Sequence, residues 1–366
     1  MCICYNPNMS SSVSCGIVGL PNAGKSTLFN ALTSGSALVA NYPFATIDPN
    51  VGVVEVTDNR LKVLADLFKS DKIVPATLNI TDIAGLVEGA SHGEGLGNQF
   101  LGHIRSCQAI AHVVRAFNDN GMDDNNDPKK DIDVVNTELI LADIETLNRR
   151  LEKVQKEAKA NPKLKPMIEE YLSAKDILDS GRPLSSSDKS FALLSDLSLL
   201  TIKPVIYIFN INEKQLVDND IRKKLEEIVA PSKSLFICAK LEAELNELDE
   251  DDRQELLESY GQSQTGLIQL THALYNLLGL KSYLTAGQKE VRAWTIKHGS
   301  TAPQAAGVIH SDFEKGFIAA EVVSYNDLIQ AGSLAAAKSA GKVRTEGKNY
   351  IVREDDVIEF RFNVSR

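Results

Sequence analysis

A short segment near the start of the chain combines two glycines, a lysine and a serine at a spacing that suits phosphate binding. Residues 19–26 read Gly-Leu-Pro-Asn-Ala-Gly-Lys-Ser and match G-x-x-x-x-G-K-[ST]. Glycines at 19 and 24 allow backbone conformations in which successive N–H groups point inward and cradle an anion. Lys25 would reach the β- and γ-phosphates of a nucleoside triphosphate, and the Ser26 hydroxyl would bind Mg²⁺. We predict a phosphate-binding loop; the alternative is a tight turn before an ordinary helix.

Two more segments carry residues that close around Mg²⁺ and a γ-phosphate in nucleotide switches. Thr46 lies in a loop rich in Pro and Asn, where such switches place a threonine; a turn role is the alternative for a lone loop threonine. Residues 82–85 fit D-x-x-G, so Asp82 would hold Mg²⁺ through water and the Gly85 N–H would contact the γ-phosphate. Leu86 stands where many switch GTPases have a glutamine that orients the attacking water. We therefore expect slow hydrolysis, or positioning of the water by another group.

The segment that would meet the base departs from the guanine-specific pattern. Residues 210–213 read Asn-Ile-Asn-Glu where GTP-specific domains carry N-K-x-D. In that pattern the Asp pairs with two donors of guanine and the Lys stem packs along the base. Ile211 replaces the Lys, and Glu213 is one methylene longer than Asp, so selection for guanine should be lost. Asn210 can still hydrogen-bond a purine, adenine included, and Cys238-Ala-Lys240 would form the loop over the base.

Short apolar segments precede most of these residues, which is the pattern of strands in a parallel α/β sheet. The segments that read as strands are 15–18, 51–56, 77–82, 109–117, 204–210 and, with the loop over the base, 235–240. Helical spacing of apolar residues follows from Ser26 onward, over 59–68 and over 267–278. We expect an α/β fold, a P-loop G-domain-like sheet with helices on both faces.

Two regions differ in character from this sheet. Between Ile140 and Val154 apolar residues alternate at spacings of four and three, a second seam runs from Met167 to Leu178, and Asn161-Pro162 separates the two. This predicts a helical hairpin inserted between two strands. Short strands and one helix in residues 282–366 predict a small α+β domain. The expected division is a disordered extension at 1–12, a nucleotide-binding domain at 13–133 and 201–281, the hairpin at 134–200, and the C-terminal domain at 282–366.

Charge and composition exclude several functional classes. The net charge is −10, and residues 281–366 hold 12 basic and 10 acidic residues, so the first 280 residues carry −12. An acidic body argues against general coating of nucleic acid. No apolar run approaches the length that spans a bilayer, and residues 1–12 lack the pattern of a secretory signal. Five scattered cysteines fit a reducing cytoplasm.

Together these segments resemble the YchF family, the Obg-like ATPase branch of the switch P-loop proteins. The segments that carry the resemblance are 19–27, 41–54, 82–86, 93–100, 210–213 and 238–240, and the match runs from about Ser14 over almost the whole chain. Residues 294–317 resemble the family's C-terminal TGS domain, a β-grasp fold, through Ala302–Gly307 and His310–Gly316.

The resemblance implies a three-domain cytoplasmic protein that prefers ATP to GTP, requires Mg²⁺ and associates with ribosomes. Asn210 and the backbone of Ile211 would recognise adenine, while Ser26 and Thr46 would hold Mg²⁺. Asn22 resembles the asparagine that holds an activating K⁺ in some relatives, which leaves K⁺ open as a second cation.

The same resemblance bears on the rate of hydrolysis. The family's loop after the 109–117 strand often carries a histidine proposed to aid hydrolysis, and Asp123 stands at that position here. Leu86 places the chain among members that lack the catalytic glutamine. Ordinary turnover is therefore in doubt, unless the role has moved to another residue.

We expect a ribosome-associated ATPase of low intrinsic rate, with catalytic roles for Lys25, Thr46 and Gly85 and no membrane partner. The residues expected to contact the nucleotide are Asn22, Ala23, Gly24, Lys25, Ser26, Thr27, Asn210, Ile211, Glu213, Cys238 and Ala239. One alternative is a GTPase of the same fold. The other is an adaptor with little turnover, which nucleotide stabilises and which docks RNA or ribosomal protein through residues 282–366.

Overall fold

The computed structural model describes residues 13–34, 51–83, 96–117 and 126–363, without the side chains of Ser34 and of 96–99. The extension predicted at 1–12 lies outside these residues. The strands are β1 (Ser14–Val18), β2 (Val51–Val56), β3 (Ile73–Val74), β4 (Ala76–Asp82), β5 (Ala109–Arg115), β6 (Val205–Asn210), β7 (Lys233–Ile237), β8 (Leu280–Ala286), β9 (Val291–Lys297), β10 (Phe317–Ser324), β11 (Arg344–Glu346) and β12 (Asp356–Phe362). The α-helices are α1 (Lys25–Ser34), α2 (Arg60–Phe68), α3 (Leu96–Ser106), α4 (Pro128–Ala158), α5 (Lys165–Asp179), α6 (Asn219–Val229), α7 (Ala239–Leu245), α8 (Glu250–Ser259), α9 (Gly266–Leu277), α10 (Ala302–Ile309), α11 (Ser311–Lys315), α12 (Tyr325–Ala331) and α13 (Leu334–Ser339). None of these helices combines the length and the apolar character that crossing a membrane requires.

The described chain divides into two compact units, and the larger is drawn from Ser14–Val54 and Asn79–Leu270. Its sheet has the strand order β2-β4-β1-β5-β6-β7. The pairs β1–β4, β1–β5, β5–β6 and β6–β7 are all parallel. Parallel pairing brings the carboxyl ends of these strands to one edge, where open α/β sheets bind ligands. The expected α/β sheet is therefore present, with the candidate residues at its carboxyl edge.

Two element boundaries differ from the expectation. Strand β7 ends at Ile237 and α7 begins at Ala239, so Ala239 and Lys240 lie in the first turn of a helix rather than in a loop. Helix α4 begins at Pro128, well before the apolar seam that predicted it. The Asp127 side chain accepts a hydrogen bond from Lys130 N at 3.1 Å, which caps the helix. Its first turn, 128–131, is polar, and the buried Ile132 and Val135 that follow belong to hydrophobic clusters other than that of the hairpin.

The inserted helical hairpin is confirmed. Helices α4 and α5 are joined by a short 3₁₀ turn, Pro162–Leu164, at the break predicted from Asn161-Pro162. They share a hydrophobic core with the segment that follows α5; its buried members include Leu147, Leu151, Val154, Tyr171, Ala174, Leu178, Phe191 and Leu194. Those that lie in α4 and α5 belong to the predicted seams, so the spacing of four and three does mark the packed face.

The base of the hairpin is fastened by one buried carboxylate. Asp143 is fully buried, and its Oδ1 accepts a hydrogen bond from Leu200 N at 2.8 Å. Its Oδ2 accepts from Thr201 N at 2.8 Å and from Thr201 Oγ1 at 2.7 Å. Burial raises the pKa of Asp143, and these hydrogen bonds oppose that rise. The carboxylate thus ties α4 to the chain that leads into β6.

The smaller unit combines Glu55–Leu78 with Thr271–Arg366. Its sheet has the order β11-β10-β12-β8-β9-β3, with both antiparallel and parallel pairs, and α10 packs on its core. This is the small α+β fold expected at the C-terminus. The inclusion of Glu55–Leu78 was not expected, because its β3 is only two residues long and gives no strand pattern. The division of the chain into three domains stays a prediction.

Candidate nucleotide-binding site

The loop between β1 and α1 has the backbone conformation that a phosphate cradle requires. Three of its residues adopt positive φ angles: +153° at Gly19, +63° at Asn22 and +91° at Gly24. Such angles are uncommon outside glycine, and they turn successive peptide N–H groups toward one side. The loop ends at Lys25, where α1 begins one residue earlier than the sequence indicated.

Both glycines of the loop are also required by close packing. A Cβ atom at position 19 would lie 2.3 Å from the Val113 carbonyl oxygen, and one at position 24 would lie 2.2 Å from Asn210 Nδ2. No side chain can be accommodated at such distances without a shift of the neighbouring group. Gly24 therefore lets the loop contact the end of β6.

Lys25 lies in the loop with its amine held by backbone. Its Nζ donates a hydrogen bond to the Leu20 carbonyl oxygen at 2.9 Å, and the residue is buried. Burial lowers the pKa of Lys25, and the charge of Asp82 partly opposes that effect. His112 is buried in β5, and burial together with Lys25 lowers its pKa to about 3, so it is neutral near pH 7. The hydrogen-bond partner of the Lys25 ammonium is therefore the uncharged Leu20 carbonyl group, and an anion could take the place of that group.

Asp82, the last residue of β4, carries an oxygen that fits a metal ion. Burial raises the pKa of this carboxyl, and both Lys25 and a hydrogen bond with the Ser26 side chain oppose that rise. Asp82 Oδ1 is buried and has no hydrogen-bond partner in the described part of the chain. A buried unpaired carboxylate oxygen is costly by itself. Carboxylate and hydroxyl oxygens are ligands that suit Mg²⁺, so Asp82 and Ser26 fit the expected cation.

Asn210, the last residue of β6, fastens the phosphate-binding loop to the start of α7. Its Nδ2 donates to the Ala23 carbonyl oxygen at 3.0 Å, and its Oδ1 accepts from Ala239 N at 3.1 Å. Asn210 is buried, so these bonds are shielded from water. The amide has a second N–H, which is the part of this side chain left to meet a base.

The other predicted base contacts are restricted to particular atoms. The Ile211 side chain is buried and its N–H donates to the Ile237 carbonyl oxygen at 2.9 Å, which leaves the carbonyl oxygen of Ile211 for a base. The side chains of Cys238 and Ala239 are buried as well. The Cys238 carbonyl oxygen accepts from Glu242 N at 3.0 Å. The prediction that the Ile211 backbone contacts the base therefore applies to its carbonyl oxygen.

Glu213 has a partner that its sequence position did not reveal. Lys240 Nζ lies 3.2 Å from Glu213 Oε1 and 3.8 Å from Glu244 Oε1. The Lys240 side chain is 74% exposed and that of Glu213 is 31% exposed, so the pair stands at the surface. The carboxylate expected near the base is therefore engaged with a cation.

One buried carboxylate of α7 was not predicted from the sequence. Glu242, in α7, is buried, and its carboxylate accepts hydrogen bonds from Gly266 N at 2.7 Å and Leu267 N at 3.3 Å. It therefore caps α9 and connects that helix to the one that starts beside Asn210. A glutamate in a helix gives no signal of burial by its type, since most glutamates are exposed.

The structure brings most of the predicted residues together. Gly24, Lys25, Asp82, Asn210 and Ala239 are linked by the contacts above, and Asn22, Ala23, Ser26 and Thr27 belong to the same loop and helix start. The predicted residues that lie outside the described chain are Thr46, Gly85, Leu86 and Asp123.

Two family models match the chain. A family model described as "50S ribosome-binding GTPase" matches residues 14–165. The YchF-GTPase_C model, described as "Protein of unknown function (DUF933)", matches residues 280–363.

Curated relatives match over nearly their full length. The Ribosome-binding ATPase YchF of Bacillus subtilis (strain 168) is 50% identical over 365 residues, which covers 96% of this chain and 100% of the relative. The protein of the same name from Escherichia coli O157:H7 is 49% identical over 359 residues, covering 96% and 99%.

Solved structures show the same fold. The Schizosaccharomyces pombe YchF GTPase superposes with a TM-score of 0.85 at 36% identity, over 98% of this chain and 99% of that chain. A GTP-binding protein from Pyrococcus horikoshii OT3 shares the fold with a TM-score of 0.58 at 21% identity, over 96% of this chain and 100% of that chain. With its phosphate-binding loop, its fastened base segment and these full-length matches, the chain belongs to the YchF family.

Proposed function

We propose that this chain is a cytoplasmic, ribosome-associated ATPase that binds Mg²⁺ and ATP, prefers ATP to GTP, and hydrolyses ATP slowly. The observation that carries the proposal is the loop at 19–26, whose cradle is fastened to the base segment by Asn210. The names of the B. subtilis and E. coli relatives, ribosome-binding ATPases, support the reaction and the partner.

The phosphates and Mg²⁺ are assigned to one edge of the sheet. The N–H groups of Asn22 to Thr27 and the Lys25 ammonium bind the phosphates, because a helix N-terminus and a positive charge both favour anions. Ser26, Thr46 and, through water, Asp82 would hold Mg²⁺. The cation would neutralise charge on the β- and γ-phosphates.

The preference for adenine follows from the polarity of the groups left at the base segment. Adenine presents an amino group where guanine presents a carbonyl oxygen. Among the described residues no backbone N–H donates to the Ile211 carbonyl oxygen, and this atom accepts from an amino group and repels another oxygen. Glu213, which could accept from guanine, is paired with Lys240. Both features favour ATP.

Slow turnover is proposed from the sequence. Leu86 cannot orient water, and Asp123 stands where relatives carry a histidine. Thr46 and Gly85 sense the γ-phosphate, and its loss releases both segments, as in other nucleotide switches. We assign a basal rate below about 10 s⁻¹ without an activator. K⁺ at Asn22 is part of the same proposal, and a rate that rises when Na⁺ is replaced by K⁺ would support it.

A GTPase of the same fold is the second candidate. The family model that matches residues 14–165 is described as a GTPase, and the S. pombe relative of known structure is named a GTPase as well. Competition of ATP and GTP for the purified chain, titrated with Mg²⁺ present, separates the two candidates. Tighter binding of GTP than of ATP would overturn our assignment of the base.

The adaptor alternative is tested with Lys25→Ala and purified ribosomes. As an ATPase switch, the wild-type chain should cosediment with ribosomes to a degree that changes between ATP and ADP, and Lys25→Ala should lose both ATP binding and this dependence. Cosedimentation that is the same for Lys25→Ala and wild type, in every nucleotide state, would favour an adaptor.

A further inference from the structure

The turn that joins α4 to α5 gathers a positive charge that the rest of the chain lacks. We call residues 149–165 the hairpin tip. It contains seven basic and two acidic residues, a net charge of +5, whereas the remaining residues hold 32 basic and 47 acidic, a net charge of −15. The basic residues of the tip are Arg149, Arg150, Lys153, Lys156, Lys159, Lys163 and Lys165.

All seven basic side chains of the tip belong to exposed residues. No residue between Val154 and Tyr171 is buried, so the tip extends beyond the core of the hairpin. Within the described chain, Arg149 is the only one of the seven with an ion pair, to Glu145 at 2.6 Å, and both of these side chains are about two-thirds exposed. Such exposed pairs contribute little, so the cations of the tip are available to a partner.

Three of these cations form a row on the face of α4 that points away from the core. Arg149, Lys153 and Lys156 are spaced by four and three residues and therefore share one face of the helix. The buried Leu151 and Val154 lie on the opposite face. The row rises by roughly 10 Å along the helix axis, which is comparable to about three phosphates of one nucleic-acid strand.

We propose that the hairpin tip docks on the phosphate backbone of RNA, with the row of three cations as its principal contact. This rests on the proposed association with ribosomes, whose surface is largely RNA, and names the part of the chain that touches it. The remaining residues carry −15 in sum, and residues 281–366 among them carry only +2, so the tip has the higher density of positive charge and is the part that a polyanion meets first.

Two other occupants fit the tip less well. An anionic membrane surface is bound by helices that also insert apolar side chains, whereas the residues beside the row are polar or charged. A second copy of the chain offers an acidic surface at residues 247–258, with seven acidic residues and one arginine. Its carboxylates occur on several turns of a short helix and lack the even spacing of a phosphate backbone.

The test compares two triple variants of the full chain with equal loss of charge. The tip variant carries Arg149→Gln, Lys153→Gln and Lys156→Gln. The control carries Lys223→Gln, Lys224→Gln and Lys233→Gln, at exposed positions with no ion pair in the described chain. Binding to purified ribosomes and to two RNA duplexes of unrelated sequence, each of about 20 base pairs, is measured over a range of salt concentrations. Thermal unfolding and ATP titration verify that each variant folds.

The wild-type chain and the control should bind both duplexes alike. For the tip variant we expect an affinity at least tenfold lower at about 0.1 M salt, and a slope of log K against log salt that is smaller by about two to three. Equal binding of RNA by the tip variant and the control would overturn the proposal. If wild-type chain fails to bind ribosomes while the duplex result holds, the proposed function fails and the tip assignment stands.

Two further outcomes would also overturn the proposal. The first is tip-dependent binding to vesicles that contain phosphatidylserine, with no binding to the duplexes. The second is self-association in sedimentation that the tip variant abolishes, again with no binding to the duplexes. The first outcome would make an anionic membrane surface the partner of the tip, and the second would make a second copy of the chain its partner.

Discussion

The Glu213 carboxylate accepts a hydrogen bond from the Lys240 ammonium, with 3.2 Å between Oε1 and Nζ. The bond joins the segment after β6 to the first turn of α7, across 27 positions of sequence. It engages the one carboxylate that stands where guanine-specific domains place an aspartate. Under the proposed function, this ion pair at the surface bears on the choice of base.

Shortening this side chain should shift the choice of base. In Glu213→Asp the side chain is one methylene shorter, so its carboxylate pairs less well with Lys240. It also has the length of the aspartate that guanine-specific domains carry at this position. We expect the ratio of GTP affinity to ATP affinity to rise by about three- to tenfold. The matched control is Glu213→Gln, which also breaks the ion pair but supplies no carboxylate. Competition binding measures the ratio, and an equal shift in both variants would contradict the argument.

A side chain at position 24 should disable the loop. Gly24→Ala adds a Cβ atom that would lie 2.2 Å from Asn210 Nδ2, at a φ of +91°. We expect ATP affinity to fall at least about tenfold, because both the strain and the displaced amide distort the cradle. Gly102→Ala is the control, since its Cβ would meet nothing within 4 Å and alanine favours a helix. Calorimetric titration of ATP compares the two, and normal ATP binding by Gly24→Ala would refute the packing argument.

The amide of Asn210 should not tolerate exchange for a carboxylate. Asn210→Asp retains an acceptor for Ala239 N but turns a second oxygen toward the Ala23 carbonyl oxygen, where Nδ2 now donates. Asn210→Ala leaves both backbone groups without this partner. We expect each variant to lose about 1–3 kcal/mol in the free energy of unfolding and to bind ATP more weakly. Urea unfolding monitors the loss; a fully stable Asp variant would show that the bridge is unimportant.

Neutralising the buried carboxylate of Asp82 should weaken the benefit of Mg²⁺. In Asp82→Asn the side chain loses the negative charge that faces the cation site, so we expect the gain in ATP affinity on adding Mg²⁺ to fall about tenfold or more. In the presence of a chelator the variant and the wild-type chain should bind ATP alike, which makes the metal-free titration the control. A full Mg²⁺ effect in the variant would exclude Asp82 from the cation site.

The buried carboxyl of Asp143 should give a distinctive pH dependence of stability. Its pKa is raised in the folded chain, so the folded state holds the proton more tightly than the unfolded state. Its contribution to the free energy of unfolding is then complete below the ordinary pKa of 3.8 and decreases as the pH rises through the raised value. Asp143→Asn lacks this titration and turns an amide N–H toward backbone donors, so it should be less stable throughout.

The measurement is urea unfolding of both chains at several pH values from about 4 upward. The stability advantage of the wild-type chain over Asp143→Asn should narrow as the pH rises. An advantage that grows with pH would show that the hydrogen bonds from Leu200 and Thr201 outweigh burial.

Local sequence patterns predicted the parts of the site that lie within one stretch of chain. The segment 19–26 carries its own glycines, lysine and serine, and its neighbours are apolar strand and helix, so its structure followed from its sequence. The position of Asp82 was predicted in the same way, because a carboxylate that ends a segment of alternating apolar and polar residues lies at the end of a strand.

Long-range pairings could not be predicted in this way. Nothing in the sequence links Lys240 to Glu213, or Glu242 to the start of α9, because each contact depends on which elements the sheet brings together. The first turn of α7 was predicted as a loop for a related reason. The groups that contact this turn, Asn210 and Glu213, lie on other segments. Tertiary contacts of this kind decide where such a short helix begins.

The close contact between Gly24 and Asn210 connects the phosphate-binding loop to the end of β6, two segments that are far apart in the sequence. Under the proposed function, the Asn210 amide that would meet the base also donates a hydrogen bond to the backbone of the loop that would hold the phosphates. A substitution that changes the choice of base should therefore also change the affinity for phosphate. A variant designed for a new nucleotide then needs changes in both segments.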